Sequence, residues 1–502
     1  MIYLWQAVSI VVGLAALFVV TPSISSNKEL YGIYSLCISL TIFISYGDLG
    51  FFGAGYKFAG ESYAAGDRAE EIRMVGFVTA IIGLFGLIFS GAVLALSLNP
   101  GLIFHDLKGS LATSTASRLL VVLAVGSLNS IYQRILQVIF GIRIEDYLLR
   151  RLMVIGNLVA ICSVFWFFRK GSQDIVGYYL TVQVTNILVS AIATITVRKR
   201  YGYRLREVLA AVRFDRRAFD KTKRLAFATL LGTVGWVAYY EMDSLFISTQ
   251  IGVSSLAFYS VGWTLVSYVR SLMGTLFTPV QSRFNHFIGV ADIDGLKRYY
   301  RNIVMTMTPI ILISVMTVFL LIKPLIISWV GLTYAPSILI GQLLISMHLL
   351  ACFSYPAGML LVAHQRIRPM NIITAMNVIV FWVGVILTYR TLGIVSLALF
   401  KLVTALLADF YYIYVSFKFV ESPISVVKEM FLPLLIPLGV LVTLLGLIRG
   451  VFPAVKSASV MAQVIGMGVG GVALALAMYI AFSKEYRTLI RNFIRSFRAL
   501  SV

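Results

Sequence analysis

Residues 302–322 read NIVMTMTPIILISVMTVFLLI, a run without one charged side chain. A helix rises about 1.5 Å per residue, so a run of this length matches the roughly 30 Å of a bilayer's hydrocarbon. Apolar runs of the same kind recur near 1–22, 30–50, 74–98, 117–140, 150–168, 174–197, 224–248, 254–281, 336–362, 370–389, 393–417, 430–448 and 459–483. Between them they occupy most of the 502 residues, which are 59% hydrophobic and only 13% charged, with a mean hydropathy of +0.91. A soluble domain is about 45–50% apolar and about a quarter charged, so a water-soluble core would not absorb this excess. The expectation is an all-α integral membrane protein of about fourteen transmembrane helices. No charged segment precedes the first run and no small-residue cleavage site follows it. It therefore reads as the first membrane helix rather than a removed signal.

The charges test the count. Of 42 Lys and Arg, 30 fall in the even-numbered joints and the C-terminal tail, 9 in the odd-numbered joints and 3 inside spans. Strict alternation over fourteen helices is hard to obtain with a wrong count. Cytoplasmic loops collect Lys and Arg, so both termini are expected in the cytoplasm. The same rule accounts for the net charge of +21, which in a soluble chain would suggest nucleic acid; no nucleic-acid partner is expected here. Cys37, Cys162 and Cys352 lie in apolar runs at wide spacings, and the four histidines (105, 286, 348 and 364) are scattered. Neither a disulfide framework nor a metal site is readable, and no cofactor is expected.

The one substantial linker is 198–223, rich in basic residues from Arg198 to Lys223. Its Leu205, Leu209, Val212 and Phe219 suggest a short amphipathic helix on the inner leaflet, where anionic lipid attracts each cation. A weak repeat sets Gly32-Ile33-Tyr34-Ser35 at the start of helix 2 beside Ala257-Phe258-Tyr259-Ser260 at the start of helix 8. The expected organisation is a six-helix lobe (1–197), the basic linker (198–223), a second six-helix lobe (224–417), two extra helices (418–483) and a basic cytoplasmic tail (484–502). Transporters built from repeats hold their site between them, near midplane, so a central cavity is expected between the lobes.

A charge at bilayer depth costs at least ~2.5 kcal/mol on insertion scales, and so tends to be functional. The sequence offers few. Arg270 stands alone in the run Tyr259–Pro279. It either holds an anionic head group, for which a guanidinium's forked donors suit phosphate, or pairs with Glu241 or Asp243 of helix 7. Arg134 in helix 4 lies within two turns of the cytoplasmic end, where binding and snorkelling are both open. Lys401 and Asp409 share helix 12 and would line one cavity at two depths; Asp409 is a candidate for proton or ion coupling, or balances a cation. Glu241 and Asp243, two residues apart, face different ways, one towards the cavity and the other nearer the outer surface. Asp48, in Tyr46-Gly47-Asp48-Leu49-Gly50, caps the break after helix 2.

Gly32-Ile33-Tyr34-Ser35, Gly47-Asp48-Leu49-Gly50 and Ala59-Gly60-Glu61 resemble the first helical hairpin of the Wzx-type polysaccharide and O-antigen flippases, members of the multidrug/oligosaccharidyl-lipid/polysaccharide (MOP) exporter superfamily. Glu241-Met242-Asp243-Ser244-Leu245-Phe246-Ile247-Ser248, then Gly252 and Tyr259-Ser260, is similar to the stretch opening that family's second lobe. Pro279 and Arg283-Phe284 resemble the end of helix 8. Helix 1 departs from the pattern, since no charged start precedes its apolar run. The resemblance implies two six-helix lobes that rock around a central cavity in a bacterial inner membrane. It implies export of an undecaprenyl-pyrophosphate-linked oligosaccharide for surface polysaccharide such as lipopolysaccharide, alongside polysaccharide polymerase and chain-length machinery. It implies cationic residues that engage the pyrophosphate and sugar; Arg270, Arg134 and Lys401 are the positions that fit. A coupling ion, H+ or Na+, would be met by the carboxylates.

Three other functions compete. A peptidoglycan-precursor flippase shares the fold and mechanism. A multidrug exporter of the same superfamily would want an acidic cavity, whereas the candidates here include three cations. A membrane glycosyltransferase or polymerase needs an acid or base on a sizeable outer loop, and the longest, near 99–116, offers His105 and Asp106. No Walker-type loop is present. A transporter rather than an enzyme is expected.

Overall fold

The computed structural model describes residues 2–44, 46, 50–169, 173–419, 423–489 and 491. It is 88% helical, and no strand occurs among the described residues. The chain divides into two compact units, Met1–Ala257 and Phe258–Val502.

The first unit holds α1 (Ile2–Ile24), α2 (Lys28–Ile44), α3 (Phe51–Ala64), α4 (Arg68–Leu98), α5 (Gly109–Gly141), α6 (Asp146–Phe167), α7 (Ile175–Tyr201), α8 (Leu205–Ala211), α9 (Arg216–Tyr240) and α10 (Met242–Phe246). Helix α11 (Val253–Gly289) leads into the second unit, which continues with α12 (Ile293–Val330), α13 (Pro336–Ser346), α14 (Ala351–Ala363), α15 (Ile367–Leu392), α16 (Val395–Phe419), α17 (Pro423–Ile448) and α18 (Ala458–Phe482). Aspartates start several of them. Asp67 accepts from the Glu70 amide, Asp174 from Gly177 and Asp292 from Gly295, so each satisfies an amide that the helix's first turn leaves without an internal partner.

Among the described residues, nine helices are long and apolar enough to cross a membrane, or ten with α13 and α14 taken as one span bent by 48°. The chain is a multi-pass membrane protein. The expected runs coincide with helices, and two are interrupted. Run 2 corresponds to α2, and α3 begins after Gly50 at φ +82° as a separate helix. Run 7 breaks at Glu241, between α9 and α10, and run 10 is the bent pair. Asp48 lies outside the described residues, as do Arg495 and Arg498 of the tail.

In the first unit α8 forms within the basic linker, where a short amphipathic helix is expected. Val208 is buried against α4, while Leu209 is 60% exposed. The segment 198–223 belongs to this unit, and α9 packs on α3 and α4. A ring-rich core of Phe51, Phe77 and Phe140 gathers α3, α4 and α5 under α8 and α9.

Beside that core, Arg143 and Glu71 form a buried ion pair at 2.6 Å. Tyr203 donates to the same carboxylate oxygen at 2.5 Å, and Arg143 also donates to the Ile139 carbonyl at 3.0 Å. The Arg143 guanidinium lies over the rings of Tyr63, Tyr201 and Tyr203 at 4.5, 4.9 and 5.1 Å. Burial by itself lowers the pKa of Arg143, but its hydrogen bond and charge contact with Glu71 outweigh this and raise it. Burial, then the hydrogen bond to Glu71, pushes the Tyr203 phenol well above its ordinary value. The cluster ties the start of α4, the α5–α6 turn and the linker into one piece.

In the second unit α17 and α18 pack on α12. Leu312, Leu320 and Leu321 meet Leu434, Leu441, Val464 and Tyr479 in one core. The two extra helices are thus built into this unit.

Candidate functional site

The site grows from Trp263 on α11. Arg270 is seven residues further along, about two turns, so both side chains share a face. Helical side chains lean towards the N-terminus, and the Arg270 guanidinium settles over the indole, 5.1 Å from its centre. Lys401 arrives from α16. Its Nζ lies 4.9 Å from the centre of the same indole and 4.7 Å from the ring of Phe381 on α15. Tyr259 stacks on Trp263 one turn earlier, at 6.2 Å and 15°. Two cations that the sequence sets 131 positions apart therefore meet on one aromatic side chain.

Their exposures differ. Lys401 is wholly buried, at 0%. An ammonium taken out of water loses several kcal/mol of solvation. Two ring faces return part of it, at about 0.5–2 kcal/mol each. Arg270 is half-buried. The indole covers one face of a planar group whose hydrogen-bond donors point outward in its plane, which suits a phosphate oxygen. Lys401 adds positive potential at short range.

Asp409, two turns along α16 from Lys401, is 5% exposed. Ser354 of α14 lies beside its carboxylate. Lys401 and Asp409 thus occupy two depths of one buried helix face.

His348 belongs to this neighbourhood and is not among the residues singled out from sequence. It sits in the break between α13 and α14, is 5% exposed, and its Nε2 has no hydrogen-bond partner among the described residues. It lies within electrostatic reach of Arg270. A polar side chain in an otherwise apolar run was the available signal. Trp263 could have been found from its spacing to Arg270.

The remaining candidates fall in the first unit. Arg134 on α5 rests over the Phe52 ring of α3, at 4.6 Å. Glu241 and Asp243 are both buried, at 4% and 1%. The helix breaks at Glu241 and restarts as α10 before a π-turn over Ile247–Ile251.

That π-turn accounts for two of the residues that carried the resemblance, Ser248 and Gly252. Gly252 ends it at φ +126°, a conformation that L side chains rarely adopt. The Ser248 hydroxyl donates to the Ile103 carbonyl at 2.6 Å, and the His105 amide donates to the Ser248 carbonyl at 2.8 Å. Gly32 lets α2 approach so closely that a Cβ there would lie 2.1 Å from the Val253 carbonyl oxygen. Gly32, Ser248 and Gly252 thus hold the backbone in place. Among the described residues, no group of three or more His, Cys, Asp and Glu could hold a metal ion.

Known proteins share this architecture in structure rather than in sequence. No family model matches the chain, and no curated protein does. Solved structures do. A lipid II flippase, MurJ, in an inward closed conformation superposes with a TM-score of 0.71 at 16% identity, over 97% of this chain and all of that one. An inward-facing multidrug resistance MATE transporter of the MOP superfamily gives 0.62 at 13% identity, over 84% of this chain and 94% of its own. A MOP superfamily transporter from Pyrococcus furiosus, described for the reverse polarity of its binding pocket, gives 0.54 at 15% identity, over 82% and 93%. The likeness is one of fold. The chain shares the fold of these solved structures. The MurJ superposition thus takes in nearly all of the chain, and the MATE one somewhat less.

Proposed function

We propose that this protein is a flippase. It carries an undecaprenyl-pyrophosphate-linked oligosaccharide from the cytoplasmic to the outer leaflet by alternating access, for cell-surface polysaccharide. The observation that carries the reading is the pair of cations on Trp263, a guanidinium and an ammonium kept inside an apolar helix bundle. A pyrophosphate head group is the kind of anion such a pair would hold, while its isoprenoid tail stays in lipid. In this reading Arg270 binds, Lys401 raises the local potential, and Arg134 serves the first six-helix lobe (1–197). Asp409, Asp243 and Glu241 are assigned to charge balance or to coupling by H+ or Na+. Polymerase and chain-length machinery would receive the product.

A second reading is favoured by a specific observation. The superposition on a lipid II flippase includes almost the whole chain, so a peptidoglycan precursor is the rival substrate. Both substrates present a pyrophosphate. A drug exporter fits less well, because a cationic site repels the cationic drugs it would serve.

The test uses cells deleted for the gene. An impermeant glycan probe on intact spheroplasts reads which leaflet holds the lipid-linked glycan. Inner-leaflet accumulation, reversed by the wild-type gene but not by Arg270→Ala that inserts normally, supports the proposal. Arg270→Lys should restore part of the transport only, since a point charge lacks the fork. Full transport by Arg270→Ala would refute the head-group assignment. Normal surface glycan with lipid II trapped inside would transfer the function to the second reading.

A further inference from the structure

At one end of the second unit, α14, α15 and α16 enclose a cavity of ≈ 310 Å³ that the transport site does not use. Three basic side chains line it. His364 and Arg366 come from the turn that joins α14 to α15, and Lys418 from the last turn of α16. Tyr411 and Tyr414 add hydroxyls, Leu360 and Phe419 add apolar wall, and none of the lining residues is acidic.

The turn is firmly built. The Arg366 amide donates to Leu361 at 2.8 Å and the His364 amide to Leu360 at 3.0 Å, with Gln365 between them at φ +57°. His364 Nδ1 donates to the Leu360 carbonyl at 2.9 Å, and its ring meets the edge of Phe419 at 6.2 Å. Arg366 and Lys418 carry basic side chains, and among the described residues neither is held in an ion pair.

Lys418 is seventeen residues beyond Lys401 on the same helix, roughly 25 Å along its axis. The cavity is therefore distinct from the Trp263 site, and its case stands apart from the transport reading. We propose that it binds the phosphate head group of an anionic phospholipid. Free phosphate would leave the apolar wall uncovered. A lipid uses both parts, placing its phosphate among the cations and its glycerol and upper acyl chain against Leu360 and Phe419. The distribution of Lys and Arg puts this end at the cytoplasmic leaflet, where anionic lipids supply the ligand.

The experiment uses the full chain, purified and stripped of lipid, with photoactivatable phosphatidylglycerol and an acyl-matched phosphatidylcholine. Adducts are mapped by peptide, and affinity is read by native mass spectrometry. The expected result is phosphatidylglycerol adducts in segments 360–369 and 411–419. Affinity at this site should fall by ~10-fold in Arg366→Ala/Lys418→Ala, as the loss of two charge-assisted contacts implies. Neutralising Arg213 and Arg216 in the linker should leave these adducts unchanged. Adducts confined to other segments, equal labelling by phosphatidylcholine, or an unchanged affinity in the double variant would overturn the proposal. So would competition by millimolar inorganic phosphate, which would make this a soluble-anion site.

Discussion

Arg143 and Glu71 show how a residue's meaning depends on its surroundings. From sequence Arg143 is one of many loop cations that mark the cytoplasmic side. In the fold it is buried, paired and hydrogen-bonded. Removing one partner leaves the other as an uncompensated buried charge, which costs about 3–5 kcal/mol. Glu71→Ala and Arg143→Ala should each lower thermal stability in detergent by that order, and the double variant should cost clearly less than the two singles added. Strict additivity would mean the pair is not coupled. Tyr203 in the same cluster gives a pH signature. Its phenol is raised by burial and by Glu71, so the folded state holds that proton more tightly than the unfolded chain. The stabilisation is fully present below about pH 10, the ordinary tyrosine value, and is lost as pH rises towards the folded value. Tyr203→Phe should flatten that alkaline loss in a pH series of melting curves. At the transport site, Trp263→Leu should cost about 1–4 kcal/mol, since two cations each lose a ring face; an unchanged melting temperature would show that the indole contributes nothing.

At the scale of elements, the breaks matter more than the spans. Helix α3 comes after α2 as a separate piece, α9 gives way to α10 and a π-turn, and α13 bends into α14. The α9–α10 and α13–α14 breaks place Glu241, Asp243 and His348 where an unbroken helix would not. Interrupted spans are tolerated in membranes when neighbouring protein satisfies the freed backbone. Here the 103–105 loop does so for the π-turn, through Ser248. The contact of α2 with the start of α11 needs the missing side chain at Gly32. Gly32→Ala would force a Cβ into the Val253 carbonyl, and overpacking of this kind costs about 1–3 kcal/mol. A lowered melting temperature with intact insertion is the expected outcome, and wild-type stability would show that α2 can shift.

The whole molecule is governed by the bilayer and by the distribution of basic residues. That distribution makes a topological prediction. An impermeant thiol reagent should label Arg206→Cys, in the linker, only after the membrane is permeabilised. It should label Leu102→Cys, in the 99–108 loop and 64% exposed, from outside. These labels should be read in a background with Cys162 replaced, since that cysteine is exposed whereas Cys37 and Cys352 are buried. The reverse pattern would invert the orientation and move the cavity of the further inference to the outer leaflet. The superpositions on MurJ and MATE structures concern this same scale, and at 13–16% identity they speak to architecture and leave the cargo to experiment.

The sequence by itself determined the membrane class, the approximate helix count and the short list of intramembrane charges. All three follow from one-dimensional quantities: apolar run length against bilayer thickness, and the cost of charge in hydrocarbon. It also marked a short helix within the linker, because that signal is local. Only the tertiary structure brought Arg270 and Lys401 to Trp263, buried Arg143 on Glu71, set His348 in a helix break and left a basic cavity beneath α14, α15 and α16. Each joins residues far apart in the chain or depends on where a helix stops. Such pairings arise when packed helices choose their neighbours, and no local period in the sequence encodes that choice.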